Sequence, residues 1–170
     1  MTLPLETERL IVREFVAGDL DGLHGVYGDP AVLWWQEAPD TREQTAAALA
    51  RILERYRTDG MAEYAVVLRS SREIVGDCGP VFREVEGERL PELGWDVRSD
   101  LWGRGYATEA ARAVLGHAAS LGLRRLYSLI VPENARSRGV AENLGMTVER
   151  RVVYKGLPHD LWALDLPVLP

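Results

Sequence analysis

Three predicted strands follow one another closely in the middle of the chain, and a glycine-rich loop, a helix and a further strand come after them. The strands span 61–69, 73–85 and 90–97, and turns as short as those between them join antiparallel neighbours. The helix spans 106–121 and the next strand 125–131. A strand, a helix and a strand in this order require that the two strands pair in parallel. The sequence therefore predicts a mixed sheet with one parallel step, a place where ligands tend to bind.

The rest of the chain supplies more strands and helices around this unit. Strands are predicted at 9–15, 147–153 and 159–166, the last two as a hairpin, and helices at 18–28 and in a short segment that ends at Leu144. Thr41 and Gln44 form a capping-box pattern that begins another helix, which Gly60 can end. The predicted fold class is α+β, with a central, mostly antiparallel seven-stranded sheet flanked by about four helices. No repeat or low-complexity tract interrupts the chain, so we expect residues 1–170 to form a single domain.

The composition argues against several kinds of site and partner. Cys78 is the single cysteine, so neither an intramolecular disulfide nor a cysteine zinc cluster can form. His24, His117 and His159 are far apart in sequence, and no metal site is expected. A net charge of −6 argues against a nucleic-acid partner and is compatible with a cationic substrate or peptide. No basic stretch precedes an apolar run and no segment has the ~18 apolar residues of a membrane span, so we expect a cytoplasmic protein without a membrane partner.

The glycine-rich loop has the features of an anion site. Gly103 and Gly105 flank Arg104 immediately before the predicted helix, so the backbone can approach a ligand closely. The free N–H groups of the first helical turn and the positive end of the helix dipole both favour an anion there. The loop lacks the Lys-Ser/Thr of a nucleotide P-loop and the third glycine of a dinucleotide fingerprint. A plain connecting loop is the alternative interpretation.

Four stretches of sequence together resemble one known family. They are Leu5-Glu-Thr-Glu-Arg-Leu-Ile-Val-Arg13, Trp102-Gly-Arg-Gly-Tyr-Ala-Thr-Glu-Ala110, Asn134-Ala-Arg-Ser137 and Glu142-Asn-Leu-Gly-Met146. The combination resembles the GCN5-related N-acetyltransferase (GNAT) family, and within it the RimJ/RimL-like branch that acetylates the N-termini of ribosomal proteins. The family usually has Gln or Arg where Trp102 stands, so one polar contact is absent here while the backbone donors remain.

The resemblance implies acetyl-coenzyme A as the co-substrate, without a metal. It implies that the strand over 92–97 splays from the strand over 126–131, so that unpaired backbone groups hold the pantetheine arm like another strand. A backbone N–H near Trp95 would then face the thioester carbonyl as an oxyanion donor. The residues expected to bind the cofactor are Trp95, Val97, Gly103, Arg104, Gly105, Tyr106, Ala107, Thr108, Asn134 and Ser137.

Transfer of an acetyl group to an amine requires removal of a proton from the amine and a proton for the leaving thiolate. Glu92 is the predicted base, on one strand face with Gly94 and Asp96. Its alternative roles are an ion pair with a nearby arginine or binding of a cationic acceptor. Ser137 is the predicted acid, because Ala141 stands where many relatives have a tyrosine. The alternative for Ser137 is a helix cap.

The acceptor is expected to be an amine, either a peptide N-terminus or a small molecule. Trp34, Trp35, Asp77 and His159 are the predicted acceptor-binding residues, and Asp77 is also the second candidate for the base. Both tryptophans are equally compatible with core positions. The less regular segments 29–40 and 154–158 should shape the acceptor site. Trp162 and Leu164 of the last hairpin could pair with a second copy in a homodimer.

Two other functions are compatible with the same sequence. One is a non-catalytic acyl-coenzyme A sensor that has kept the cofactor groove, and the other is a generic phosphate-ligand protein without thioester chemistry. A nucleophilic role for Cys78 is disfavoured, because it would need a histidine partner and a covalent intermediate.

Overall fold

The computed structural model of the chain describes residues 2–32 and 38–168. Its helices are α1 (Leu20–Tyr27), α2 (Arg42–Thr58), α3 (Tyr106–Ser120) and α4 (Ala135–Leu144), with short 3-10 turns at Ala17–Asp19 and Ser99–Leu101. Its strands are β1 (Leu5–Glu6), β2 (Leu10–Arg13), β3 (Tyr64–Leu68), β4 (Ile74–Val85), β5 (Glu88–Val97), β6 (Arg125–Ile130), β7 (Thr147–Tyr154) and β8 (Leu157–Asp165). The predicted α+β class is confirmed.

The strands form one mixed sheet in the order β1-β2-β3-β4-β5-β6-β8-β7. Within the described residues, β5 and β6 are the one parallel pair, as the strand, helix and strand order predicts. The sheet has eight strands where the sequence predicts seven, because Leu5 and Glu6 pair with Val12 and Ile11 as an additional edge strand. Two residues are too short for any alternation of apolar and polar positions, so this strand has no readable signal.

Helices cover both faces of the sheet. The apolar side of α3 packs on one face, where Ala110, Val114 and Ala118 are fully buried against Leu93 and other residues of the main core. On the opposite face, α1 and α2 bury Leu23, Leu49 and Ile52 in a second core with Phe15 and Val67 of the strand region. The cavity described below lies where α1, α3 and α4 meet the middle of the sheet.

Local signals for α2 agree with its structure. The Thr41 hydroxyl accepts a hydrogen bond from the Gln44 N–H at 3.3 Å, and the Gln44 side chain accepts one from the Thr41 N–H at 2.7 Å. This is the reciprocal capping box that the sequence predicts. Gly60 follows the end of the helix with φ +72°, which is compatible with its predicted role in chain reversal.

Within residues 2–32 and 38–168, no helix is both long enough and apolar enough to cross a membrane.

Candidate active site

A cavity of about 620 Å³ runs from the loop before α3 to the turn between β7 and β8. It is lined by most of the residues that the sequence singles out, although these lie in five separate segments of the chain. The lining includes Asp77, Glu92, Trp95, Val97, Gly103, Gly105, Tyr106, Ala107, Thr108, Asn134, Ser137 and His159. Arg104 is not among the lining residues, whereas Asp96, which was not singled out as a site residue, is.

The parallel strands separate inside this cavity. Glu92 and Tyr127 are the pair in register between β5 and β6. Beyond them the Ser128 hydroxyl donates to the Leu93 carbonyl at 2.7 Å, and further along the two strands both line open space. This geometry matches the splay that the family resemblance implies. Backbone groups of 94–97 and 129–131 are therefore placed to hold an extended ligand between the strands.

The loop before α3 leaves the N-terminus of the helix open. Gly105 is the N-cap residue with φ +80°, and no side chain caps the helix. Gly103 has φ +75°, and a Cβ built there would meet nothing within 4 Å. Both residues need the left-handed backbone that glycine adopts without cost. Tyr106, Ala107 and Thr108 of the first turn line the cavity, and the first N–H groups of a helix have no intrahelical partner, which fits the pyrophosphate of acetyl-coenzyme A.

A clamp from the N-terminal segment holds this loop in place. The Arg9 guanidinium donates to the Glu109 carboxylate at 2.7 Å and to the Arg104 carbonyl at 2.9 Å, and Thr7 donates to Glu109 at 2.6 Å. Burial acts to raise the pKa of Glu109, but the hydrogen bonds from Thr7 and Arg9 outweigh it and lower that pKa. The sequence suggests a role for Glu109 in the helix dipole alone. It misses Arg9, which lies 100 residues away along the chain.

Asn134 and Ser137 have separate roles at the start of α4. Asn134 is the N-cap residue, and its side-chain oxygen accepts the Ser137 backbone N–H at 3.1 Å. The capping alternative for Ser137 is therefore wrong, because Asn134 occupies the cap. No hydrogen bond engages the Ser137 hydroxyl within residues 2–32 and 38–168, and this group lines the cavity. Trp102 is fixed by its indole N–H, which donates to the Val97 carbonyl at 2.7 Å.

Glu92 lies on the cavity floor in an ion pair. Its carboxylate accepts a hydrogen bond from Arg83 at 2.8 Å, and Arg83 also contacts Glu63 at 3.4 Å. Glu63 in turn accepts from Arg55 at 3.0 Å. The pairing with an arginine, which the sequence left open as an alternative, is thus present. Whether Glu92 also takes a proton stays a prediction.

Asp77 and Asp96 lie directly opposite each other on β4 and β5. Asp77 is only 2% exposed. Burial, then the charges of Asp96 and Glu63, raise the pKa of Asp77 well above its usual value, against the opposing effects of the Tyr27 hydrogen bond and Arg83. Burial, then the charges of Glu92 and Glu63, raise the pKa of Asp96 to about 7.

The remaining predicted residues fall in different places. His159 lines the far end of the cavity, with its Nδ1 3.0 Å from the Leu157 carbonyl and its ring edge against Tyr154. Trp34 and Trp35 lie outside the described residues. Burial raises the pKa of the Cys78 thiol, as do the charges of Asp77 and Asp96, which disfavours a thiolate nucleophile.

Two further sequence expectations concern a metal and a second copy. Among the described residues, no three or more His, Cys, Asp or Glu side chains group in a way that could hold a metal ion. Trp162, which the sequence offers for pairing with a second copy, is buried against Ile130, Ala141 and Met146 of its own chain. The homodimer stays a prediction.

Comparison with known proteins agrees with this geometry. The model of the acetyltransferase (GNAT) domain matches residues 9–147. The uncharacterized N-acetyltransferase YnaD of Bacillus subtilis is 29% identical over 162 residues, which are 93% of this chain and 91% of that protein. The uncharacterized N-acetyltransferase p20 of Bacillus licheniformis is 28% identical over 148 residues, 85% of this chain and 83% of that protein.

Solved structures show the same fold. A GNAT-family acetyltransferase from Bacillus anthracis superposes with a TM-score of 0.76 at 27% identity, over 95% of this chain and 97% of that one. RimL, a ribosomal alpha-N-protein acetyltransferase in complex with coenzyme A, has a TM-score of 0.79 at 17% identity, over 95% of this chain and 97% of that one, a likeness of fold. With the family domain matched over most of its length, this chain belongs to the GCN5-related N-acetyltransferase family and is an acetyltransferase.

Proposed function

We propose that this protein transfers an acetyl group from acetyl-coenzyme A directly to a primary amine while both are bound. The observation that carries the proposal is the continuity of the cavity. One space joins the open N-terminus of α3, the gap between β5 and β6, and a group of carboxylates further in, formed by Glu63, Asp77, Glu92 and Asp96. We call this group the acidic end. A donor entering at α3 and an amine entering over the acidic end would meet at the splay.

At the donor end, backbone groups do most of the binding. The N–H groups of Tyr106, Ala107 and Thr108 face the pyrophosphate, with Gly103 and Gly105 allowing its close approach and Arg104 contributing its backbone. The strand edge from Trp95 to Val97 holds the pantetheine arm, and an N–H near Trp95 stabilises the developing oxyanion. The free amide group of Asn134 orients the arm. Acetyl-coenzyme A supplies the activated thioester when bound.

Proton movements are assigned to side chains at the splay. The Ser137 hydroxyl, which has no other hydrogen bond in the described residues, donates toward the sulfur as the thiolate leaves. At the acidic end, carboxylates attract the acceptor's ammonium group and remove its proton. Glu92 is the base that the sequence predicts, and Asp77 and His159, which line the same cavity, contact the acceptor. A protein N-terminus is one acceptor class, because RimL is named as acting on one, and a small-molecule amine is the other.

A thiol-release assay with acetyl-coenzyme A tests the proposal. The panel should include ribosomal-protein N-terminal peptides, polyamines, amino acids and aminoglycosides, with cofactor binding measured in parallel by calorimetry. Turnover with one class would support the proposal and identify the acceptor. Tight binding of acetyl-coenzyme A without turnover on any amine would favour the acyl-coenzyme A sensor instead.

Glu92→Gln tests whether Glu92 takes part in the proton transfer. The expected result is a changed pH profile of turnover with little change in the affinity for acetyl-coenzyme A, because Glu92 lies at the acidic end and not at the pyrophosphate loop. Glu84→Gln, an exposed carboxylate on the same sheet, is the matched control. A wild-type pH profile in Glu92→Gln would exclude Glu92 from this step.

A further inference from the structure

Asp77 and Asp96 form a pair whose position is set by the sheet. They are direct partners in the antiparallel register of β4 and β5, so their side chains point to the same face. That face also carries Arg83 and Glu92, and all four side chains line the cavity. Two positions along, Gly79 and Gly94 are also opposite each other, and a Cβ built at Gly94 would meet nothing within 4 Å. A Cβ built at Gly79 would meet the Ala62 carbonyl oxygen at 2.2 Å, so the floor beside the carboxyl pair is open to a ligand on the β5 side only.

One atom of this pair has no partner in the described part of the molecule. Asp77 Oδ2 is buried and accepts no hydrogen bond, although a buried carboxylate oxygen is costly to leave unpaired. The Tyr27 hydroxyl, from α1, acts as a hydrogen-bond donor that lowers the pKa of the Asp77 carboxyl, and Oδ2 has no hydrogen bond among the described residues. An acceptor is thus available in the cavity for a donor that residues 2–32 and 38–168 do not provide.

Among the residues that the structure describes, the charges around the pair leave it without a cation of its own. Tyr27 faces it from α1, Glu63 from the segment before β3, Arg83 from β4 and Glu92 from β5. Arg83 is engaged by Glu92 and Glu63, and Arg55 by Glu63. Like charges placed directly opposite each other destabilise a sheet unless one is neutralised. A shared proton is the neutralisation that this arrangement allows.

We propose that the carboxyls of Asp77 and Asp96 share one proton and form the subsite that receives the ammonium group of the acceptor and takes its proton. This inference rests on the proposed function and specifies which carboxylates act at the acidic end. With one shared proton the pair carries a single negative charge, which matches one ammonium group. Glu92 then acts through its charge on Asp96, as a positioning residue.

The proton transfer balances with the acetyl transfer. One proton passes from the acceptor's ammonium group to the pair, which becomes neutral, and the freed nitrogen lone pair forms a bond to the thioester carbonyl carbon. The carbon–sulfur bond breaks, the Ser137 hydroxyl gives its proton to the leaving thiolate, and the second proton of the nitrogen returns to the Ser137 oxygen as the amide forms. After the products leave, the pair releases its extra proton to solvent. The net products are the amide, the thiol of coenzyme A and one proton.

The sharing of a proton can be measured on the ligand-free protein. Carboxyl ¹³C NMR of the unsubstituted chain should show Asp77 and Asp96 titrating far above the usual value of about 3.9. Because the folded state then holds protons that the unfolded state has lost, this pair lowers stability as the pH rises from about 4 to about 7. Asp77→Asn and Asp96→Asn should therefore gain stability relative to the wild type between pH 5 and pH 8. Asp165→Asn, an exposed carboxylate, should show no such trend.

Kinetics on the active amine test the second half of the proposal. Wild-type kcat/KM should rise with increasing pH, with a midpoint near pH 7. Each single Asn variant should lose about a hundredfold in kcat/KM, and the double variant should lack this pH-dependent limb of the profile. Glu92→Gln should shift the midpoint to lower pH, because the Glu92 charge raises the pKa of Asp96. Ordinary carboxyl titration, or a wild-type limb in the double variant, would overturn the proposal. Failure of every amine to react would instead contradict the proposed function, whereas the NMR titration would still test whether the pair shares a proton.

Discussion

At the scale of single residues, two glycines determine whether the anion site can exist. Gly103 and Gly105 both have positive φ, and the space above them is open except for the Arg9 side chain 3.5 Å from a Cβ built at Gly105. A side chain at either position would force the backbone out of this conformation. The glycine pattern in the sequence was therefore sufficient to predict this backbone conformation, because its reason is local, and the anion site stays a prediction.

Gly105→Val should lower the affinity for acetyl-coenzyme A by at least about tenfold, or about 1.4 kcal/mol. A β-branched residue is strained at φ +80°, so the loop must turn its N–H groups away from the pyrophosphate. Gly60→Val is the matched control, because Gly60 has φ +72° at the end of α2 and open space around it. Calorimetry should show weaker binding in Gly105→Val alone, while both variants lose stability. Equal affinities in the two variants would contradict the anion site.

At the scale of elements, the site depends on contacts between segments that are remote in sequence. Arg9 connects the start of β2 to α3 through Glu109 and the Arg104 carbonyl. Ser128 marks the point at which β5 and β6 stop pairing, because its hydroxyl donates a hydrogen bond to the Leu93 carbonyl. Both contacts hold in place a backbone that must bind a ligand, so we expect them to affect binding more than the chemical step.

Arg9→Gln should raise the KM for acetyl-coenzyme A several-fold and leave kcat nearly unchanged. The reason is that the loop loses its hydrogen bond at the Arg104 carbonyl, whereas the acidic end is untouched. Arg69→Gln provides a close control: Arg69 donates to the Thr7 carbonyl at 2.7 Å in the same N-terminal segment and does not contact the loop. Steady-state kinetics that show the same KM for both variants would argue against a role of Arg9 in holding the loop.

At the scale of the whole molecule, the cavity joins elements that lie far apart along the chain. It is lined by β4, β5, β6, α3 and α4, together with Tyr27 of α1 and the turn between β7 and β8. A ligand bound across these elements favours the folded state as a whole. Binding of acetyl-coenzyme A should therefore raise the free energy of unfolding of the whole protein.

Saturation with acetyl-coenzyme A at about 100 times its Kd should stabilise the folded protein by about 2.7 kcal/mol. For a chain of 170 residues this corresponds to a rise in Tm of about 5–11 °C. Differential scanning fluorimetry with and without ligand measures the shift. Gly105→Val at the same ligand concentration is expected to show a smaller rise, and an unchanged Tm of the wild type would show that the cavity does not bind acetyl-coenzyme A.

The sequence alone was enough for features that depend on neighbours along the chain. These are the α+β class, the parallel step, the capping box at Thr41 and the open helix start after Gly105. Each follows from hydrophobic periodicity or from backbone conformations that only certain residues adopt. Recognition of the family added the splay and the residues that line it.

Only the tertiary structure decided which side chains face each other. The pairing of Asp77 with Asp96 depends on the register of two strands, and a shift of one residue would have turned one carboxyl to the other face. The ion pair of Glu92 with Arg83 and the clamp from Arg9 to Glu109 likewise join residues that no local pattern relates. Charge and proton affinity at a site are set by such contacts across space and by burial. The sequence therefore predicted where the acetyl donor binds, whereas the folded chain decided which carboxylates face one another at the proposed amine site.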